Sequence, residues 1–277
     1  MALREAVRRL IVNADDFGRT SSINHAVIRA HREGILTSAS LMVNGAAFAE
    51  AVELARQNPR LGVGLHLALV CGRATLPPSQ IPGLVDEQGE FSRNAVGTGL
   101  RYFFRRELSP QLTDELRAQF EKFQRTGLRL DHVNGHLNMH LHPTVFGILG
   151  KHAREWGIQT FRLTKDPFWL NARIAVGNWF YRASHALIYL LLSRHARPQL
   201  DSLGVRYSIN VFGLLQNSRV HEDFLLKLIP RLPAGDSEIY SHPSLDEFKP
   251  EFDALVSPRV RSLMESENIR LVRYQDL

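Results

Sequence analysis

Short apolar runs alternate along the chain with longer stretches whose apolar positions recur at helical spacing. That rhythm predicts a mostly parallel sheet or barrel with helices between its strands. Residues 9–13 read as a first strand and 22–33 as the helix that follows. Residues 36–43 form a second strand, 46–57 a helix with Ala, Phe, Val and Leu suitably spaced, and 61–69 a third, alternating strand. The stretch 71–91 is rich in Pro and Gly and predicts a long loop, a length that usually serves function or mobility. A helix over 112–126 closes at Gly127, a natural C-cap, and 128–133 begins the next strand. Further strands are expected at 160–164, 206–212, 238–241 and 269–274. So many strands with helices between them point to a closed or nearly closed α/β barrel in one domain. Periodicity alone fits an open doubly wound sheet equally well.

Polar residues break this pattern at the strand ends. Asp15 and Asp16 follow the first strand, His66 lies near the end of the third, and His136 and His140 follow the strand ending near residue 133, after an Asn134-Gly135 turn. His242 directly follows the 238–241 strand. In an α/β barrel the C-terminal strand ends meet at one face, so these distant acids and imidazoles are expected to converge there. One Asp and two His suit a divalent cation such as zinc or magnesium and leave coordination positions for water and substrate. Each residue also has a plainer use. Asp15 and Asp16 fit a helix N-cap, and His66 fits a satisfied buried side chain. Residues 131–143 carry four histidines, and the run fits a hydrogen-bonded loop; His136 and His140 are four apart, as ligands on a helix are, while His132 and His142 are the expected bystanders. Arg162 is expected either to orient an active-site carboxylate or to form a surface ion pair. His242 fits a proton donor or simply the residue before the Pro243 turn.

Composition narrows the field. With 44% hydrophobic and 22% charged residues in 277, the chain has ordinary globular content and length enough for a substantial core. The net charge is +6, yet Lys and Arg are scattered apart from short groups such as 101–106, and no basic stripe interleaved with aromatics marks a nucleic-acid binder. The single cysteine, Cys71, excludes an intramolecular disulfide and a cysteine-rich zinc module. The N-terminus lacks an apolar signal core, which predicts a cytoplasmic protein. Residues 174–192 are apolar but carry Asn178, Arg182 and His185, so a buried or interfacial helix is expected rather than a membrane span.

Taken together, the motifs Asn13-Ala-Asp-Asp-Phe-Gly18, Gly64-Leu-His66-Leu67, the histidine-rich run ending His140-Leu-His-Pro143, and Ser241-His-Pro243 resemble those of the YdjC-like carbohydrate deacetylases. Order and spacing hold from about residue 9 to 245, and the combination is far more specific than any one element. The 70–78 loop is similar to that of the hopanoid biosynthesis-associated branch. The resemblance implies a distorted, TIM-barrel-like (β/α) barrel of parallel strands as a single catalytic domain over 1–277, with an apolar helical insertion near 168–197. It implies one divalent metal ion held by Asp16, His66 and His136, with Asp15 as general base and His242 as general acid. Asn138 and Arg162 are then the expected substrate contacts, and His140 is expected to touch either the substrate or the residues behind the ligands. The family run usually has consecutive histidines where this chain has Leu137 and Asn138, so contacts there are expected to differ. The implied reaction removes the acetyl group of an N-acetylated amino sugar, in the hopanoid branch an N-acetylglucosaminyl hopanoid. Such a lipid-linked substrate would place 174–192 in peripheral contact with the inner face of a membrane. A phosphoesterase or other metal-dependent hydrolase on the same barrel is the competing enzyme reading, weakened by the lack of a Gly-rich phosphate loop. A non-catalytic carbohydrate-binding protein is the competing reading of another class.

Overall fold

A computed structural model describes residues 7–277. The order of elements is β1 (Arg8–Phe17), α1 (Ser21–Glu33), β2 (Ser38–Leu41), α2 (Phe48–Arg56), β3 (Gly62–Leu67), α3 (Ala95–Phe104), α4 (Ser109–Gln124), β4 (Val133–Gly135), α5 (Pro143–His152), α6 (Phe168–Ile174) and α7 (Trp179–Leu203). There follow β5 (Asn210–Phe212), α8 (Glu222–Leu228), β6 (Gly235–Ser241), α9 (Lys249–Val256), α10 (Pro258–Ser266) and β7 (Arg270–Leu271).

All strand pairs are parallel, in the order β4-β3-β2-β1-β6-β5, with β7 against the first half of β1. Single bridges carry the pairing onward from Val133 to Phe161 and from Thr160 to Arg206, just before β5. The sheet therefore curls back on itself, and the ring is strong around β1 and thin around residues 160–206. This is the distorted α/β barrel expected from the sequence, and the thin side explains the differences in detail. Residues 160–164 contribute only bridging pairs, and the strand placed at 128–133 begins at Val133. The strand expected at 269–274 shortens to β7 before a tight turn at Tyr274–Asp276.

The apolar layer lies between strands and helices. Leu10, Val12 and Ala14 on β1 face it, together with Ile23, Val27 and Ala30 of α1, all buried. The alternate residues of β1, Ile11, Asn13 and Asp15, turn the other way. Ile11 packs with Val272 and Tyr274, so the C-terminal segment fills one end of the barrel. The rest of the interior is polar, with Ser40, His132, Asn134, Arg162 and Glu238 all fully buried. Close packing there demands glycine on β3. A Cβ on Gly64 would lie 2.5 Å from the His132 ring and its carbonyl, and one on Gly62 2.6 Å from the Asp131 carboxylate.

Candidate metal and catalytic site

Adjacent residues of a strand point to opposite faces, so Asp15 and Asp16 could not both enter one site from a regular β1. The strand breaks its register with β2 between Ala14 and Phe17, and Asp16 takes a left-handed backbone with φ of 63°. This irregularity turns both carboxylates to the same end of the barrel, and such strain in a non-glycine residue is typical of functional positions. Neither acid caps α1; that N-cap is Thr20, whose side chain accepts from the Ile23 N–H.

Asp16, His66 and His136 each bring one ligand atom into a group within 4.8 Å of one another. Asp16 Oδ1 lies 3.0 Å from His136 Nδ1 and 3.3 Å from His66 Nε2, while Oδ2 accepts from Arg19. The neighbouring hydrogen bonds assign the donors. The Asn134 amide donates to the acceptor-only carboxylate of Asp15 and to Ser40, which leaves its oxygen facing His66 Nδ1 at 2.7 Å. His66 therefore donates from Nδ1. Its Nε2, buried and without a hydrogen-bond partner, presents a lone pair toward Asp16 in the neutral ring. Two acceptors aimed at one point, with a second imidazole beside them, form a donor set that fits a divalent cation. Burial would raise the Asp16 carboxyl, but its hydrogen bond with His136 holds it well below the usual carboxylate range, so it stands ready as an anionic ligand.

Asp15 occupies a different electrostatic setting. Its oxygens accept a two-pronged ion pair from Arg162 at 2.7 and 3.0 Å, and Oδ1 also accepts from Asn13 and Asn134. Burial again pushes its carboxyl up, but the Arg162 charge outweighs it and keeps Asp15 far below its ordinary value. Arg162 is itself fully buried and reaches Glu238 at 2.6 Å; Glu238 in turn accepts from Tyr274 at the end of the chain. The expected substrate contact at Arg162 is thus corrected: it stands behind Asp15 and orients it. His140 does not line the cavity either. It is fully buried, its Nε2 meets the Arg162 carbonyl, and desolvation lowers it to about 3, so it stays neutral behind the site. The four-residue spacing of His136 and His140 does not lie on an α-helix, because Leu137 and Asn138 both adopt left-handed backbones and turn the two rings apart.

A cavity of about 420 Å³ opens over this group. Asp15, His66, His136, Asn138 and His242 line it. Asn138 is held by Thr164, whose hydroxyl donates to its side chain. His242, from the segment after β6, has Glu251 Oε2 3.8 Å from its Nδ1, and the same carboxylate accepts the His242 backbone N–H. Desolvation would lower His242, but Glu251 and the charges of Asp16 and Asp15 raise it to about 9, so it carries a proton near neutrality. Three participants escaped the sequence reading. Asn134 reads as a turn residue and Glu238 as part of a strand, while Glu251 is a fully buried acid on α9. A charged residue inside the apolar face of a strand or helix is the one signal that could have drawn attention to the last two.

Fold and site together define an α/β barrel protein with a candidate cation site beside a buried carboxylate. The chain belongs to the YdjC-like protein family, whose profile matches residues 9–266. It is 43% identical over 151 residues to a carbohydrate deacetylase of Brevibacillus brevis, covering 54% of this chain and 57% of that protein. It is 40% identical over 150 residues to a carbohydrate deacetylase of Geobacillus stearothermophilus, with the same coverage. The chain thus spans little more than half the length of these curated relatives. Among solved structures, one provisionally described as a cellobiose-phosphate cleavage protein of Enterococcus faecalis is 26% identical, with a TM-score of 0.74 over 98% of each chain.

Proposed function

We propose that the protein is a metal-dependent carbohydrate deacetylase that hydrolyses the N-acetyl group of an amino sugar. The observation that carries this reading is the division of labour between adjacent acids. Asp16 joins His66 and His136, whereas Asp15, held by Arg162, faces the same cavity without joining the triad. A divalent cation held by the triad would supply Lewis-acid polarisation of the acetamide carbonyl. Asp15 would accept the proton of the attacking water, with the Arg162 pair fixing the direction of its lone pairs. His242, kept protonated by Glu251, would give a proton to the departing amine. Water adds to the carbonyl carbon, the C–N bond breaks, and acetate and a free amino sugar leave. The relatives named carbohydrate deacetylase support this chemistry.

For the substrate, the likeness of the 70–78 loop to the hopanoid branch supports an N-acetylglucosaminyl hopanoid, with the apolar 174–192 segment beside its lipid portion. No helix among the described residues is long and apolar enough to cross a membrane.

The test is acetate release from an N-acetylglucosaminyl hopanoid and from soluble N-acetylglucosamine oligomers, with chelator and with each divalent metal restored. Release that stops with chelator and returns with metal is expected, as is its loss in Asp15→Asn with metal binding retained. No release by folded protein with any metal would reject the deacetylase reading. Release from the soluble sugars alone would reject the hopanoid.

A further inference from the structure

The helix α3 wears its apolar stripe on the wrong side for a packed helix. Val96, Leu100, Phe103 and Phe104 recur at i, i+4, i+7 and i+8, the spacing that normally faces a core. Here all four stand in solvent, Phe104 at 74% and Val96 at 75% exposure. Across the cavity mouth, α6 and α7 do the same with Trp169, Phe180, Leu187 and Leu191, Phe180 reaching 89%. Of the fifteen large hydrophobic side chains exposed among the described residues, twelve fall in 96–104, at Leu137, or in 169–191.

These segments share a place as well as a character. Val96 and Leu137 line the same cavity as Tyr181, His185 and Tyr189 of α7, and the Tyr189 hydroxyl donates to the Leu137 carbonyl. A second cavity of about 410 Å³ lies between α6 and α7, lined by Phe168, Trp169, Ala186, Leu187 and Leu190 and mostly apolar. An apolar rim of this extent around the cavity exceeds what scattered surface hydrophobes explain.

Charge selects the occupant. No acidic residue occurs from 91 to 106, while Arg93, Arg101, Arg105 and Arg106 do. From 167 to 200 there is again none, against the exposed Arg173 and Arg194. Exposed aromatics and aliphatics flanked by arginine, with no carboxylate among them, match the boundary between acyl chains and anionic headgroups.

We propose that the rim of the active-site cavity, formed by α3 on one side and α6–α7 on the other, is a docking surface for an anionic phospholipid bilayer. The apolar side chains enter the headgroup boundary, the arginines meet lipid phosphates, and the cavity opens onto the membrane plane. This deepens the lipid-linked substrate reading by adding α3 as a second wall and naming where the substrate is presented. Docking is measured without turnover, so its failure is distinguishable from failure of the reaction assignment.

The experiment is co-sedimentation of the full chain with phosphatidylcholine vesicles, with and without phosphatidylglycerol, alongside light scattering of the protein alone. Wild type is expected to sediment with the anionic vesicles and much less with the neutral ones. The pairs Phe103→Ser/Phe104→Ser and Phe180→Ser/Leu187→Ser should each lower the partition constant about tenfold or more. Arg105→Gln/Arg106→Gln should narrow the preference for anionic lipid. Unchanged thermal unfolding would show that these variants, all at exposed positions, remain folded, and acetate release from a soluble sugar should be unaltered. Wild type that stays in the supernatant with both vesicles overturns the proposal. So does a dimer mass in wild type that either serine pair converts to monomer without any vesicle binding, which assigns the rim to a second copy of the chain.

Discussion

Replacing Arg162 by Met tests the buried network most directly. The guanidinium is fully buried and makes contacts at 2.7 and 3.0 Å to Asp15 and at 2.8 and 2.6 Å to Glu238. It also lies over the Tyr240 ring at 4.3 Å. Methionine fills similar volume, so the change removes charge more than packing. Two buried carboxylates then lose their cation. Breaking a buried pair from one side costs about 3–5 kcal/mol, because the remaining charge is left uncompensated. In a domain of this size that is a fall in melting temperature of about 6–20 °C. Asp15 also loses the fork that aims its oxygens, and displacement on the order of an ångström costs about a hundredfold in rate. Thermal unfolding and acetate release measure the two effects separately. Adding Glu238→Gln removes one stranded acid, so the double variant should regain part of the stability while its activity stays low. An Arg162→Met protein that melts within about 2 °C of wild type and keeps its rate would refute the account of Arg162 as the orienting partner of Asp15.

Further outcomes follow from other residues. Exchanging Asp16 for Asn or His66 for Gln should weaken zinc binding, read by calorimetry, by about tenfold or more, since the remaining ligands no longer complete the set. Gly64→Ala should destabilise the fold by about 1–3 kcal/mol in denaturant unfolding, because its Cβ would meet His132 at 2.5 Å. Asp166 is a pH test. Burial pushes its carboxyl up to about 7, partly opposed by hydrogen bonds from Leu215, Asn171 and Gly213 and by the Arg182 charge. The folded state thus keeps a proton that the unfolded state releases above the ordinary value of 3.8, so stability should decline as pH rises across that window, by up to about 4 kcal/mol. Asp166→Asn should flatten that decline; an unchanged slope would show that the group titrates normally in the fold.

Much of the architecture was legible because alternation and helical spacing are local. Residues 9–13, 61–69 and 206–212 each contain a real strand, and parallel strands joined by helices leave few topologies. The candidate site was also legible as a group, since its acids and imidazoles follow or end strands and a parallel barrel gathers those ends at one face, while the choice of Asp16, His66 and His136 among them is what the family resemblance implies. What the chain could not show was direction and partnership. Whether Asp15 and Asp16 point the same way depends on a register break set by β2, and whether His140 faces the cavity depends on left-handed turns at Leu137 and Asn138. The roles of Asn134, Glu238 and Glu251 rest on contacts between residues far apart in sequence, such as the ion pair of Arg162 with Glu238. An apolar stripe on α3 has the same spacing whether it covers a core or faces solvent, and only packing of the whole chain decides which. Sequence by itself determined the periods and the chemical types; tertiary structure decided facing, tautomer and charge state, because those depend on neighbours that only folding brings together.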